Sequence, residues 1–356
     1  MQVELGYINM RIKFLQKIID KIRRKNKFEP KNYDISTVYG KIYHPIYNLN
    51  APIYGKNPDV YDKDGNRLEY FFLRDIHYAN FTRAYSKYFL WDKFNFNLDI
   101  HFYSGKSMLE TMGNPLKRYG FFPEPYSIAP YDYNVFKTKK GIEKDFDLIF
   151  TFSEEILDKI PNSKFVPFCA NTWYANMTKD DLYLSKNKNV SILSSDKEMC
   201  ELHKYRIEIA NRCKRLNLAD TFGTFDSGKF VNSCDTLKDY RYSICIENYV
   251  EPYFFTEKIV NALTFQTIPI YLGATKIDKF FNPDGIIKLN LNDDIEKVLK
   301  QCTEEEYNRR LPAVLENYKI ALKYGYLEQW NFIYENYLTD KIISEKNTLN
   351  NLFSMK

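Results

Sequence analysis

The chain has 356 residues and a mild net charge of +5, because 51 basic side chains are largely offset by 46 acidic ones. The length suffices for two domains of ordinary size, and the interspersed charges argue against a nucleic-acid-binding protein. The six cysteines are dispersed and form no CxxC pair. We therefore predict no zinc site and expect all six thiols to be reduced, as in a cytosolic protein.

The first element predicted along the chain is a basic amphipathic helix over residues 8–25, within an N-terminal segment at 1–30. Isoleucine and leucine recur on one helical face, with lysine and arginine opposite. Such a helix either docks on its own domain or makes peripheral contact with a membrane, and the sequence leaves both alternatives open. No apolar run in the sequence is long enough to span a bilayer.

An N-terminal α/β domain is predicted over residues 31–175. Its expected strands are apolar segments near 97–103, 148–152 and 165–168. The carboxylates of Asp145 and Asp147 have a spacing that suits a metal ion, but they precede a strand instead of following one. We interpret them as a polar strand boundary and predict no metal site.

A second α/β domain is predicted over residues 186–345. It begins with a strand near 190–193, a helix over 196–216 and a short strand at 221–223. Helices are expected at 295–301, 304–323 and 328–337. Pro312 is expected to kink or split the second of these, because proline lacks the backbone N–H that an inner turn needs.

The most informative segment is 242–273, which reads as strand, loop, helix and strand. Residues 243–246 and 268–272 are nearly continuous apolar runs, the pattern of parallel strands that are covered on both faces. Glu247 and Asn248 follow the first run directly. Because open parallel sheets bind ligands at the carboxyl ends of their strands, we predict a binding site here.

The helix inside this segment is expected to begin with Thr256 as its N-cap, followed by Glu257 and Lys258. A helix start offers unpaired N–H groups and a partial positive charge, which suit an anion such as a diphosphate. Lys258 adds a full charge, and Glu257 would accept hydrogen bonds from sugar or ribose hydroxyls. The alternative is a capped surface helix with a solvated Glu–Lys pair.

These residues resemble a family signature. Glu247-Asn248, eight intervening residues, Glu257-Lys258 and the string TIPIYLG together are similar to the signature of the α-1,3-fucosyltransferases, glycosyltransferase family 10. Weaker similarity extends from about Glu124 to about Asn290. The resemblance implies an α/β fold of two Rossmann-like domains of GT-B type, with the donor site in the C-terminal domain and the acceptor site in the N-terminal one.

The resemblance further implies that Asn248, Glu257 and Lys258 contact a GDP-sugar. The family usually has a tyrosine six residues after the asparagine, where this chain has Phe254. The donor contact at Phe254 therefore lacks a hydroxyl, and UDP- or dTDP-linked sugars remain alternatives. Arg206 lies in a region that resembles the first helix of the family's donor domain and would bind the diphosphate bidentately. Its alternative is a solvated basic helix face.

An inverting transfer requires a general base for the acceptor hydroxyl. We predict Glu124 in this role, because the flanking prolines hold it on a stiff loop of the other domain. Asp132 is the reserve candidate, followed by Glu154 and Glu155. The acceptor would be a glycan or a glycolipid headgroup.

Beyond the GDP-sugar donor substrate, we predict no required cofactor, and a divalent ion (Mn²⁺ or Mg²⁺) as an activator remains open. Golgi members of the family carry a membrane anchor that this sequence does not show, so we expect a cytoplasmic enzyme of bacterial or viral type, with membrane-peripheral attachment as the alternative. A non-catalytic glycan-binding protein on the same fold is a further alternative. The joint presence of Arg206, Asn248, Glu257 and Lys258 argues against it.

Overall fold

The computed structural model contains two parallel β-sheets with helices packed against them. It describes residues 65, 68–75, 86–92, 96–167, 172, 174, 186–325 and 328–338. The predicted segment 1–30, with its amphipathic helix over 8–25, lies outside the described residues. The membrane alternative for that helix therefore stays a prediction.

The N-terminal sheet has six strands in the order β2-β1-β3-β4-β5-β6. They are β1 (Glu69–Arg74), β2 (Phe89–Asp92), β3 (Ile100–Ser104), β4 (Lys117–Phe121), β5 (Leu148–Thr151) and β6 (Ser163–Phe165). Short helices follow β4 and β5, namely α1 (Pro130–Tyr133), α2 (Val135–Thr138) and α3 (Glu154–Lys159). The strands predicted from apolar segments correspond to β3, β5 and β6, whereas the sequence pattern does not reveal β1, β2 and β4.

The C-terminal sheet has five strands in the order β11-β10-β9-β7-β8. They are β7 (Lys188–Leu193), β8 (Asp220–Phe222), β9 (Tyr240–Ile246), β10 (Ile268–Leu272) and β11 (Ile287–Lys288). The helices are α4 (Glu201–Leu216), α5 (Thr224–Ser227), α6 (Glu257–Thr264), α7 (Ile295–Lys300) and α8 (Glu304–Ala321). The strand order reverses between β7 and β9, which opens a crevice at their carboxyl ends. Two such parallel sheets confirm the predicted α/β fold of GT-B type.

Alternating side chains of β9 explain why helices cover both faces of this sheet. Ile244 and Ile246 pack in one core cluster with Ile209 of α4. Cys245, which lies between them, packs in another cluster with Ile259 of α6. Because successive strand side chains point to opposite faces, the end of β9 must be apolar at every position. Each fully buried isoleucine contributes about 1.5–3 kcal/mol.

Helix α8 runs as one element through Pro312, so the expected split is wrong. Its start is capped by Thr303, whose hydroxyl accepts a hydrogen bond from the Glu306 N–H at 3.1 Å. Beyond the proline, Val314 is completely buried in the C-terminal core. This packing offsets the backbone hydrogen bond that the proline removes.

After α8 the chain returns to the N-terminal sheet. The buried Trp330 of α9 (Glu328–Ile333) lies 5.0 Å from the ring of Trp91 and 5.5 Å from that of Phe121, centroid to centroid. The chain passes between the two sheets twice, once near Thr172 and once near Tyr324. The Thr172 N–H donates a hydrogen bond to the carbonyl oxygen of Tyr324 at 2.8 Å. Two hydrogen-bonded segments thus link the sheets. The predicted range 186–345 for the second domain stays a prediction, although α9 contacts the first sheet.

Acidification is expected to destabilise the protein through His101 on β3. The imidazole is fully buried beside Phe72, with Nδ1 2.9 Å from the Tyr103 hydroxyl. Burial lowers its pKa from 6.5 to about 4. Between these values the unfolded chain binds a proton that the folded protein excludes, so stability falls as pH falls. Urea unfolding is expected to show about 2 kcal/mol lost through this group between pH 7.5 and pH 5.

The matched control is His101→Phe, which cannot bind a proton and keeps an aromatic ring in the core. The two proteins share every other ionisable side chain, including the charged Asp99 and Arg118 near the ring. The variant is therefore expected to lose less stability than the wild type over the same pH interval. Equal losses in both proteins would contradict a buried neutral histidine.

Candidate functional site

Polar side chains gather at the crevice between β7 and β9. Glu247 and Asn248 follow β9 directly, and Nε2 of His203, in the first turn of α4, lies 2.9 Å from Asn248 Oδ1. The structure thus brings the first part of the sequence motif together with the start of α4. This is the position at which open parallel sheets bind their ligands.

Glu247 is completely buried and holds the start of α6. Its Oε1 accepts a hydrogen bond from the Thr256 N–H at 2.8 Å, and its Oε2 accepts one from the Thr256 hydroxyl at 2.7 Å. That hydroxyl accepts the Lys258 N–H at 3.2 Å, which confirms Thr256 as the N-cap. Burial raises the pKa of Glu247. This carboxyl group occupies part of the helix start that the sequence assigned to a diphosphate.

Only glycine fits at position 273, the end of the motif. A Cβ atom there would lie 2.5 Å from Cγ of Glu247 and 2.3 Å from the Tyr271 hydroxyl. Such distances are far below van der Waals contact. The last residue of the TIPIYLG string therefore leaves room for the buried carboxyl group of Glu247.

The Lys258 ammonium lies between two carboxyl groups. Its Nζ is 3.4 Å from Oε2 of Glu247 and 3.3 Å from Oε1 of Glu257. Burial disfavours the charged form, but Glu257 and Glu247 outweigh it and raise the pKa of Lys258. The side chain of Glu257 is 40% exposed, so it can also meet a ligand. The Lys258 side chain is only 23% exposed, so the Glu–Lys pair is partly shielded from solvent.

Arg206 on α4 is a buried cation that has no close counterion among the described residues. The residue is 6% exposed, Nη1 donates to the carbonyl oxygen of Ile246 at 3.1 Å, and Nε is buried without a hydrogen-bond partner. Burial lowers its pKa, and Glu247 and Glu257 oppose this only through longer-range attraction. The alternative of a solvated basic helix face is therefore wrong for Arg206. An anionic ligand would supply the charge that this guanidinium lacks.

Phe254 is buried at the contact between the two sheets. Its ring lies 5.1 Å from that of Phe152, which directly follows β5. The neighbouring Tyr253 keeps a hydroxyl, and Lys276 Nζ donates to it at 3.3 Å. The hydroxyl that the family pattern places at Phe254 is thus displaced by one residue and turned toward Lys276. A donor contact of Phe254 stays a prediction.

Glu124 lies half-buried on the loop between β4 and α1. The Tyr133 hydroxyl donates to its carbonyl oxygen at 3.0 Å. On the same loop, the Ser127 hydroxyl donates to the carbonyl oxygen of Asn248 at 3.1 Å. The loop of the predicted base is therefore fixed against the predicted donor site, while the role of Glu124 as the base stays a prediction.

The reserve candidates for the base have structural partners. Asp132 is completely buried, and its Oδ1 accepts the Lys106 N–H at 2.8 Å. Glu154 forms an ion pair with Lys276 of the other domain, and the exposed Glu155 pairs with Lys159.

Asp145 and Asp147 interact with basic residues and the backbone. Asp145 pairs with Lys139, and Asp147 Oδ2 accepts the Arg118 N–H at 2.8 Å, which supports their interpretation as a strand boundary. Across the described ranges, no three His, Cys, Asp or Glu side chains are grouped to hold a metal ion. Within those same ranges, no helix combines the length and the apolar character needed to cross a bilayer.

Glu247, His203 and Ser127 have contacts in the site but carry no predicted role. The sequence could have indicated a structural role for Glu247, because a carboxylate directly after a buried strand needs buried hydrogen-bond partners. The sequence gives no comparable signal for His203 or Ser127. Ser127 and Asn248 are 121 positions apart, and only the folded chain brings them together.

The parallel sheets and the crevice at the reversal of strand order define an α/β protein of GT-B type. Residues 183–309 match the family described as "Glycosyltransferase family 10 (fucosyltransferase) C-term". The match confirms the resemblance of the motif over this part of the chain.

Similar proteins include the α-(1,3)-fucosyltransferase FucT of Helicobacter pylori, 36% identical over 59 residues, which are 17% of this chain and 12% of that protein. A putative fucosyltransferase-like protein of Arabidopsis thaliana is 26% identical over 107 residues, 29% of this chain and 21% of that protein. The chain thus matches less than a quarter of either relative's length. A crystal structure of an α1,3-fucosyltransferase with GDP has 17% identity and a TM-score of 0.46, over 76% of this chain and 91% of that one.

Proposed function

We propose that this protein is an inverting, fucosyltransferase-like glycosyltransferase that moves a sugar from a GDP-sugar to a hydroxyl of a glycan or glycolipid. The observation that carries the proposal is the buried guanidinium of Arg206, which has no counterion among the described residues and lies at the crevice of the region that matches glycosyltransferase family 10. A buried cation without a counterion costs folding free energy unless a ligand compensates it. A diphosphate supplies the required charge and accepts bidentate hydrogen bonds.

The other residues of the crevice have complementary roles in this proposal. Arg206 and Lys258 would stabilise the negative charge that develops on the leaving diphosphate. Asn248 and Glu257 would position the nucleotide and the sugar, and Glu124 would remove the proton of the acceptor hydroxyl. The burial of Phe254 beside Phe152 suits a role in shaping the contact between the domains.

A nucleotide panel tests the donor. GDP is expected to raise the melting temperature of the protein more than UDP, CDP or dTDP, because a ligand that binds only the folded state stabilises it by mass action. GDP-fucose is expected to change the shift further. A rise in melting temperature with UDP or dTDP alone would mean that the donor is a UDP- or dTDP-linked sugar. No rise with any nucleotide would favour a non-catalytic glycan-binding protein.

Arg206→Met is expected to weaken GDP binding about 10- to 100-fold, the value of a hydrogen-bonded ion contact. Without ligand, the variant is expected to melt at or above the wild-type temperature, because it removes a buried uncompensated charge. The matched control is Lys204→Met on the same helix, where a 55% exposed side chain loses the same charge. Equal losses of affinity in both variants would show that only the net charge of the helix matters.

A further inference from the structure

The proposed chemistry gives no role to His203, a side chain of the crevice. It is 3% exposed, lies one turn before Arg206 on α4, and contacts both the start of that helix and Asn248. Its contacts determine which ring nitrogen carries the proton. That proton in turn determines how the amide of Asn248 is oriented.

The Nδ1 atom of His203 acts as an acceptor. The backbone N–H of Met199, just before α4, donates to it at 3.2 Å. A neutral imidazole that accepts at Nδ1 must carry its single proton on Nε2. Burial lowers the pKa of His203, and the positive charges of Arg206, Lys258 and Lys197 lower it further, so the ring stays neutral. The Nε2–H group therefore donates to the atom 2.9 Å away, Oδ1 of Asn248.

The backbone of Asn248 is fixed as well. Its carbonyl oxygen accepts the Ser127 hydroxyl at 3.1 Å and the Cys200 thiol at 3.3 Å. With Oδ1 occupied by His203, the remaining polar group of the side chain is the Nδ2 amide, which has two N–H donors. Among the residues that the structure describes, none accepts a hydrogen bond from it. Rotating the amide by 180° would oppose two donors, so the histidine excludes that orientation.

We propose that His203 is a positioning residue for the donor substrate: its bond to Asn248 Oδ1 turns both amide N–H groups of Asn248 toward the oxygen atoms of the bound nucleotide sugar. This proposal rests on the proposed function, since it assumes a nucleotide sugar in the crevice. Diphosphate and sugar oxygens are acceptors, and a preoriented amide meets them without losing rotational freedom on binding.

Two conservative variants distinguish the donor role of Nε2 from the acceptor role of Nδ1. In His203→Gln the side-chain amide nitrogen reaches about as far as Nε2 and keeps the donor to Asn248. In His203→Asn the shorter side chain keeps an acceptor near the Met199 N–H but loses the donor to Asn248. We expect GDP affinity, measured by calorimetry, to stay within about threefold in the first variant and to fall about tenfold in the second.

A double-mutant cycle with Asn248→Ala shows whether His203 acts through Asn248. We expect His203→Asn to cost nothing further once the asparagine amide is absent. A merely structural histidine would give a loss that persists in the Asn248→Ala protein. That persistence would overturn the proposal, as would wild-type affinity in His203→Asn or equal losses in the Gln and Asn variants.

The ligand-free wild type provides a test that does not depend on nucleotide binding. Long-range ¹H–¹⁵N spectra of the imidazoles distinguish a protonated from an unprotonated nitrogen, and loss of the signal in His203→Gln assigns it. We expect a proton on Nε2 and none on Nδ1 at pH 7.5, and a proton on Nδ1 would overturn the proposal. If the wild type binds no nucleotide, both the proposed function and this inference fail. If the wild type binds GDP but the variants give the contrary results described above, only this inference fails.

Discussion

Glu124→Gln is expected to lower the rate of sugar transfer at saturating donor and acceptor by about 10²- to 10⁴-fold, the usual contribution of a general base. The glutamine keeps the size and shape of the side chain but cannot take up a proton. GDP affinity is expected to stay unchanged, because the donor contacts lie in the other domain. A transfer assay and calorimetry on the same preparation measure the two effects separately.

Glu154→Gln is the matched control for Glu124→Gln. It removes a carboxylate from the same domain, one that is already paired with Lys276. We expect a change in transfer of less than about threefold, since a half-exposed ion pair contributes about 1 kcal/mol or less. If Glu154→Gln abolishes transfer while Glu124→Gln retains it, Glu154 and not Glu124 would be the general base.

Trp330→Ala is expected to lower the free energy of unfolding by about 3–5 kcal/mol, the typical cost of deleting a buried aromatic side chain. The indole is completely buried and meets the rings of Trp91 and Phe121 edge to face. Its removal leaves a cavity between α9 and the N-terminal sheet. Urea denaturation followed by circular dichroism measures the change.

Phe230→Ala provides the comparison, because this ring is 89% exposed. Its removal is expected to change stability by no more than about 0.5 kcal/mol. Trp330→Phe is expected to give an intermediate loss, since a smaller ring fills part of the cavity. A loss below about 1 kcal/mol in Trp330→Ala would mean that α9 does not stabilise the sheet.

The centre of the C-terminal sheet was predictable because β9 and β10 are comparatively long and largely apolar. Local sequence patterns indicate these features without knowledge of the fold. They are the apolar runs of β9 and β10, the helix cap at Thr256 and the polar residues after β9. The motif spacing then identified the family. The site was predictable to the extent that its residues lie in this one contiguous segment.

The N-terminal sheet was harder to predict because its strands are short or interrupted. β2 has four residues, and β4 contains Gly120, which by itself suggests a turn. A Cβ atom at Gly120 would lie 2.5 Å from Sδ of Met108, so the glycine leaves room for a methionine that packs against the strand.

The contacts that complete the site depend on the fold. The burial of Arg206 was not predictable, since its neighbours Lys204 and Arg212 suggest a solvated basic face. The bond from Ser127 to Asn248 and the packing of Trp330 on Trp91 join residues that are distant in sequence. Hydrophobic periodicity and local capping patterns carry no information about such pairs.

The hydrogen bond between Thr172 and Tyr324 restricts how the two domains move. A single flexible linker would let them tumble independently, whereas two connections bonded side by side resist twisting and sliding and leave one bending axis. The contacts from Ser127 to Asn248 and from Glu154 to Lys276 join the two domains across the crevice. Together with the two connections, these contacts hold the loop of Glu124 beside Asn248.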